Sequence, residues 1–123
     1  PLPDTVFTHP RTAGTFCRAL RMLAADDGPL GLTETLRRSS LRPAQLLADL
    51  VPAMRRKGRL QPSCDADIVV FDPATVSDQA TYVRSIRPSI GIKHVLVNGT
   101  LVVRDADLVT AALPGQPIRA TPR

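Results

Sequence analysis

Tryptophan is absent, and one tyrosine and three phenylalanines make up the aromatic content of the 123 residues. So few flat side chains cannot build a platform on which bases stack, and the scattered arginines are not interleaved with aromatics, so nucleic-acid binding is not expected. There are two cysteines, Cys17 and Cys64, with none of the paired spacing that zinc sites use. Both are read as free thiols in a reducing compartment. No apolar run approaches the ~18 residues of a membrane span, and no basic leader precedes a hydrophobic stretch. A cytoplasmic protein is expected. The sequence also begins at "PLPDTV" without methionine, in residues that read like the middle of a loop, so a fragment of a longer chain is expected.

What is present is a folding composition. Hydrophobic residues make up 43 %, so a core must come from Leu, Val, Ile and Ala. Sixteen Lys and Arg face eleven Asp and Glu, a formal charge of +5. This excess is concentrated only at "MRRK", residues 54–57, and reads as a solvated face.

The front half has helical periodicity. From Thr15, the apolar Phe16, Ala19, Leu20 and Leu23 recur at helix spacing; Thr12 or Thr15 offers a cap, and Gly28-Pro29 a stop. Leu32, Leu36 and Leu41 outline a second short helix with Thr33 as cap and Glu34 in its first turn. A third starts at Pro43, where a missing N–H is no loss, and turns Leu46, Leu47 and Leu50 inward. Pro52 interrupts it and Gly58 closes the basic turn.

In the back half the period changes. "ADIVVFDP" (66–73) is a continuous apolar run, the pattern of a well-covered strand. "KHVLVNGTLVVRD" (93–105) predicts a hairpin, because Asn98-Gly99 supplies the two positive-φ positions of a type I′ turn. Residues 74–91 read as turns and short helix, and Pro114-Gly115 and Pro117 mark an irregular tail. One strand and one hairpin leave sheet edges without partners, so further strands are expected upstream.

"GRLQPSCDADIVVFDPATVSD", "GIKHVLVNGTLVVRD" and "LPGQPIRA" together resemble the C-terminal end of a metal-dependent amidohydrolase. "HPRTAGTF" (9–16), "SLRPAQLL" and "PAMRRKGRL" narrow the resemblance to the N-acyl-D-amino-acid deacylases, above all those that cleave N-acyl-D-glutamate. The implied fold class is α/β: the end of a (β/α)8 barrel over residues 1–57, then part of a small composite β-sandwich over 58–123. At 62–64, "PSC" stands where relatives commonly have a glycine, so Ser63 is strained if that position needs positive φ.

The resemblance implies a zinc-type hydrolase acting on N-acyl-D-amino acids, with zinc held by upstream residues. No catalytic or metal-ligating residue is expected in this chain, and the isolated fragment is expected to be inactive. Asp4 sits too close to "HPR" to serve as the last-strand base. Arg11 is implied to bind the substrate's α-carboxylate, for which a planar guanidinium fork is suited, or else to pair structurally with an acidic loop. His9 is implied to orient the loop that carries Arg11, which the resemblance places after the last barrel strand, or to donate to substrate, or merely to pack in that loop. Gly14 is expected to allow a close approach between helix and loop. His94 reads as an ordinary sheet residue and Cys17 as core. Asp65 and Asp67 resemble a carboxylate pair, but neighbouring strand positions face opposite sides, so turn and strand-entry hydrogen bonding is expected. The alternatives are a cyclic-amide hydrolase of the dihydroorotase or hydantoinase kind, or a non-catalytic interaction module recruiting a partner through exposed strand edges.

Overall fold

The computed structural model describes residues 8–25 and 27–120, which leaves Asp4 outside the described residues. Two compact units are present, each assembled from two segments. The first joins the residues up to Thr35 with Phe71–Ile92, and the second joins Leu36–Val70 with the residues from Lys93 onward.

In the first unit, helix α1 (Arg11–Leu23) begins four residues before the expected Thr15, with Pro10 at its N-cap and φ of −52°. Thr12 and Thr15 therefore lie inside the helix and do not cap it. The helix also ends before Gly28, at Ala24, whose N–H reaches the Leu20 carbonyl. Its buried residue is Gly14, which sets the inward face at Gly14, Arg18 and Arg21, one helical stripe. Phe16, two residues on and so roughly 200° around the helix, is 65 % exposed and is not the core residue its hydrophobicity suggests. Helix α2 (Gly31–Leu36) starts two residues before Thr33, so Thr33 is not its cap; Glu34 does lie in the first turn. Thr35 is buried and donates its hydroxyl to the Gly31 carbonyl at 2.8 Å. Within 74–91 no helix forms. Asp72 accepts the Ala74 N–H, and Ser77 and Ile90 make an isolated antiparallel bridge. Gly91 (φ +80°) is obligatory there, because a Cβ would sit 2.5 Å from the Val76 backbone.

The second unit opens on a π-helical turn, Arg37–Leu41, followed directly by α3 (Arg42–Leu47). The wide turn has a cause in the sequence. Pro43 has no N–H to continue an i→i−4 ladder and its ring would crowd the carbonyl four residues back; Arg42 instead donates five residues back, to Arg37. On α3 the buried residue is Ala44, at 1 % exposure, whereas Leu46 is 83 % exposed and Leu47 and Leu50 are also exposed. The expected Leu46–Leu47–Leu50 inner face is thus outward, and Leu50 falls beyond the helix end. Pro52 begins a 3₁₀ turn (Pro52–Arg56), and Gly58 (φ +71°) closes the segment where a side chain would meet the Ser40 carbonyl at 2.6 Å. Ser63 has φ of 66°, the strained conformation that glycine would relieve.

Strands β1 (Ile68–Phe71), β2 (Ile92–Val97), β3 (Thr100–Arg104) and β4 (Asp107–Leu108) form one sheet in that order. The β2–β3 hairpin pairs Val97 with Thr100 and Leu96 with Leu101, and turns on Asn98 (φ 51°) and Gly99 (φ 77°) as expected for type I′. A bulge follows: Val95 opposes Val103, leaving Val102 as the extra residue. A second tight hairpin, unforeseen, turns on Asp105 (φ 50°) and Ala106 (φ 71°) and pairs Arg104 with Asp107; the expected irregular tail follows β4, with no helix or strand over 109–120.

Candidate functional site

Pro10 suits the entry to α1 because its ring fixes a helical φ, but it offers no side-chain acceptor to the first N–H groups. His9 supplies both acceptors. Its Nδ1 accepts the Arg11 N–H at 3.1 Å and its carbonyl accepts the Thr12 N–H at 3.0 Å. With Nδ1 accepting, the neutral ring carries its proton on Nε2, which lies 3.4 Å from the Tyr82 hydroxyl. The two rings meet edge to face, 5.3 Å between centroids and 75° between planes. Within the first turn, Thr15 donates to the Arg11 carbonyl at 2.6 Å and the Thr12 hydroxyl pairs with that of Thr8.

Arg11 is the first helical residue, not a residue of the preceding loop, and its side chain is exposed. Its guanidinium has no partner among the described residues. It stands at a groove of about 690 Å³ between one face of α1 and residues 78–82, lined by His9, Arg18, Met22, Ala80 and Tyr82 among others. Gly14 makes the groove's narrow end possible: a Cβ there would lie 3.0 Å from Asp78 Cβ and 3.7 Å from Ala80 Cβ. The close approach expected of Gly14 is therefore made to the segment at 78–80.

Asp78 is nearly buried and is clasped by two arginines. Arg18 Nη1 reaches Oδ2 at 3.3 Å, while Arg21 places Nη2 at 3.1 Å and Nε at 3.3 Å from Oδ1. Burial alone pushes the Asp78 carboxyl up, but the hydrogen bonds and charge of Arg21, joined by the charge of Arg18, outweigh it and hold the group below its ordinary 3.8. Two guanidinium groups, Arg11 and Arg18, line the groove with the one carboxylate of Asp78, which Arg21 also engages, so the groove carries a positive surplus. Its floor of Ala19, Met22, Leu23 and Ala80 is apolar. The arrangement accepts an anion joined to an apolar group.

The second unit holds the other charged cluster. Lys57 Nζ lies 3.0 Å from Asp65 and hydrogen-bonds Asp67, while Arg56 stands 3.4 Å from Asp65. The expectation that Asp65 and Asp67 diverge is corrected: residues two apart face the same way, and both lie before β1, so they share one ammonium. Their task is strand entry. Asp67 accepts the Asn98 N–H at 2.9 Å and Gly99 donates to the Ala66 carbonyl at 2.9 Å, tying the hairpin turn to the segment before β1. The Lys57 hydrogen bond first, and the Asn98 N–H second, hold the Asp67 carboxyl below 3.8; in return Asp67 raises Lys57 above 10.5. His94 accepts the Asp105 N–H at 3.3 Å from its place on β2. Cys17 and Cys64 are free and half-buried.

Among the described residues no three His, Cys, Asp or Glu side chains converge as a metal site, and no helix is long and apolar enough to cross a membrane. Sequence reasoning missed Tyr82, Arg18, Arg21 and Asp78. Their only signal is the helical i, i+4, i+7 stripe that Gly14 shares with the two arginines, which becomes informative once Gly14 is seen to face inward.

No family model matches the chain. It is similar to an N-acyl-D-glutamate deacylase of Alcaligenes xylosoxydans xylosoxydans, 38 % identical over 107 residues, which cover 85 % of this chain and 20 % of that protein. Among solved structures it is similar to a D-aminoacylase described as defining a novel subset of amidohydrolases, with TM-score 0.72, 37 % identity and coverage of 82 % of this chain and 20 % of that one. An N-acyl-D-glutamate deacylase from Bordetella bronchiseptica, complexed with zinc and a phosphonate inhibitor, gives TM-score 0.69 and 38 % identity over 76 % of this chain and 19 % of that one. The chain thus spans about a fifth of the length of the relatives it matches. Sequence and fold agree over four-fifths of its residues: the chain is similar, at 36–39 % identity, to a stretch of N-acyl-D-amino-acid deacylases and of the D-aminoacylase amidohydrolases.

Proposed function

We propose that the complete protein hydrolyses the amide bond of N-acyl-D-amino acids, releasing a carboxylate and the free D-amino acid, and that this chain's share of the work is to anchor the substrate's α-carboxylate at Arg11. The observation that carries the reading is the Arg11 guanidinium, unpaired among the described residues, at a groove whose lining is otherwise apolar apart from Arg18, Asp78 and a few polar groups. A fork of N–H donors suits a carboxylate, and the apolar floor suits the body of an acylated amino acid. His9 acts here by capping the helix from which Arg11 extends. D-Glutamate is the favoured side chain, because the positive surplus of the groove suits a substrate with two carboxylates and the named deacylase relative acts on N-acyl-D-glutamate.

The relatives' zinc does not fit the residues described here, since they offer no donor set for it; zinc is assigned to the remainder of the enzyme and no step is derived through it. In that enzyme, residues 1–57 would close the barrel and 58–123 would complete the β-sandwich, in a cytoplasmic protein that takes a small molecule, not nucleic acid or membrane, as its partner. Neither the cyclic-amide nor the interaction-module alternative is retained, because deacylases match over four-fifths of the chain.

The test is to express the complete reading frame with zinc and assay N-acetyl-D-glutamate against its L enantiomer. Turnover of the D form alone is expected, and none from the 123 residues in isolation; a complete, zinc-loaded protein that leaves both untouched overturns the reading. Arg11→Ala should lower kcat/KM by about 2–4 kcal/mol, the scale of truncating one partner of a charge pair, with Arg11→Lys recovering part. A substrate whose α-carboxylate is replaced by an amide should be far less affected.

A further inference from the structure

We infer that Tyr82 is a positioning residue for this site: its hydroxyl and ring hold His9 in the orientation and tautomer that cap helix α1, and so fix the start of the helix from which Arg11 reaches the groove. The inference rests on the anchoring role proposed for Arg11 and extends it to a residue 71 positions away, on the other segment of the first unit.

Three contacts carry it. The Arg11 N–H is an orphan donor that Pro10, at the N-cap, has no side chain to satisfy. His9 Nδ1 satisfies it at 3.1 Å, which requires Nδ1 to be bare and Nε2 to carry the proton. A five-membered ring on an exposed residue can turn over, presenting Cδ2–H to Arg11 in place of Nδ1. Tyr82 opposes that flip twice, with a hydroxyl 3.4 Å from Nε2 and a ring edge-on at 5.3 Å. If the ring turned over, the helix would lose its cap and Tyr82 its hydrogen-bond partner in one movement. Tyr82 is itself 77 % exposed, so little of its contact area goes to packing, and among the described residues its side chain's hydrogen bond and ring contact are both to His9. The backbone beneath Tyr82 is held separately: Thr81 donates its N–H to the Arg84 carbonyl, and the Arg84 N–H returns to the Thr81 hydroxyl. The aromatic ring is thereby carried on a closed turn.

The consequence is a defined division of effect. Losing the Tyr82 hydroxyl should loosen the aim of Arg11 without touching the reacting amide, so KM should rise while kcat holds. In the complete enzyme, Tyr82→Phe should raise KM for N-acetyl-D-glutamate roughly 3- to 10-fold, the range of one hydrogen bond, with kcat within about twofold. His9→Asn supplies the control. An Asn Oδ1 sits near the place of Nδ1 and can keep the cap, but the side chain ends short of Tyr82, so in that background Tyr82→Phe should have no further effect. A Tyr82→Phe penalty of equal size in both backgrounds, or no change of KM in the otherwise native enzyme, overturns the inference.

A readout free of activity comes from the chain itself. It has two histidines, so the imidazole nitrogens are readily assigned by ¹⁵N NMR. His9 should show a bare Nδ1 and a protonated Nε2, and Tyr82→Phe should shift its signals while leaving those of His94 in place. A His9 protonated at Nδ1, or indifferent to Tyr82→Phe, is the contrary result. Failure of the deacylase proposal would appear differently, as an active-site assay silent in the unmutated complete enzyme.

Discussion

In the first unit one carboxylate, Asp78, lies between two guanidinium groups, whereas in the second one ammonium, Lys57, lies between two carboxylates. The clusters use the same chemistry with opposite stoichiometry. Around Lys57 the count closes: Arg56 and Lys57 face Asp65 and Asp67, and the leftover acceptor capacity goes to the Asn98 N–H. Around Asp78 it does not close: two arginines face one carboxylate, and Arg11 lines the same groove with no anion among the described residues. A balanced cluster serves the fold by tying a turn to a strand entry. An unbalanced one has capacity for a ligand.

The sharpest test of how rigidly each unit is built is to add one methyl group. Gly91→Ala forces a Cβ to within 2.5 Å of the Val76 backbone at a φ of +80°, so the first unit should lose about 3 kcal/mol, read as a fall in the denaturant midpoint. Next in size is Asp78→Asn, which leaves Arg18 and Arg21 without their counter-charge. Both arginines are about half exposed, so water recovers part of the loss and about 2 kcal/mol is expected. Asp67→Asn should cost less than this; a larger effect there would reverse the comparison. Gly99→Val in the second unit should cost on the order of 1–2 kcal/mol through its positive φ, since the nearest atom to an added Cβ, Ala66 Cβ, is a comfortable 3.9 Å away.

The smallest effect is also the most discriminating. Asp78 and Asp67 are both held below 3.8, so each contributes fully above that value and its contribution is lost as the pH falls through the folded-state pKa; acid should weaken both units. At the alkaline end they part. Lys57 is raised above 10.5, so its contribution is complete below 10.5 and lost as the pH climbs through the raised value, whereas arginine does not titrate there. Amide exchange as the pH passes 10.5 should therefore show the Asn98 turn loosening before the Asp78 contact. Simultaneous loss would mean that the two clusters are not independent.

Which parts of this were readable beforehand follows from where the determining information lies. The Asn98-Gly99 turn was readable because two adjacent residues carry the whole positive-φ requirement. The turn at Asp105-Ala106 has the same backbone form and was not, because alanine gives no sign of a left-handed conformation, and β4 went unseen with it. Strain at Ser63 was legible as a condition and is present. Helices in the front half were foreseeable from periodicity, but not their faces or ends: a glycine and an alanine, Gly14 and Ala44, point inward while Phe16 and Leu46 point out. Hydrophobicity ranks residues by what they gain from burial, and small size decides which can approach closely. The site was half legible. The HPR stretch drew attention to His9 and Arg11, but a cap made by a histidine in place of a threonine, and the pairing of His9 with a residue 73 positions away, depend on tertiary placement.

The π turn at Arg37–Leu41 carries a further consequence for how this stretch tolerates editing. Such a turn is equivalent to one residue added to a helix, and each residue advances a helix by about 100°. Ala44 faces inward because of that added residue. Deleting one of the five would rotate everything after it by roughly a quarter-turn and more, bringing the larger side chains of α3 to the position where only a methyl group now fits. Substitutions along 37–41 should thus be far better tolerated than a change in its length, which acts as the phase setting of the helix that follows.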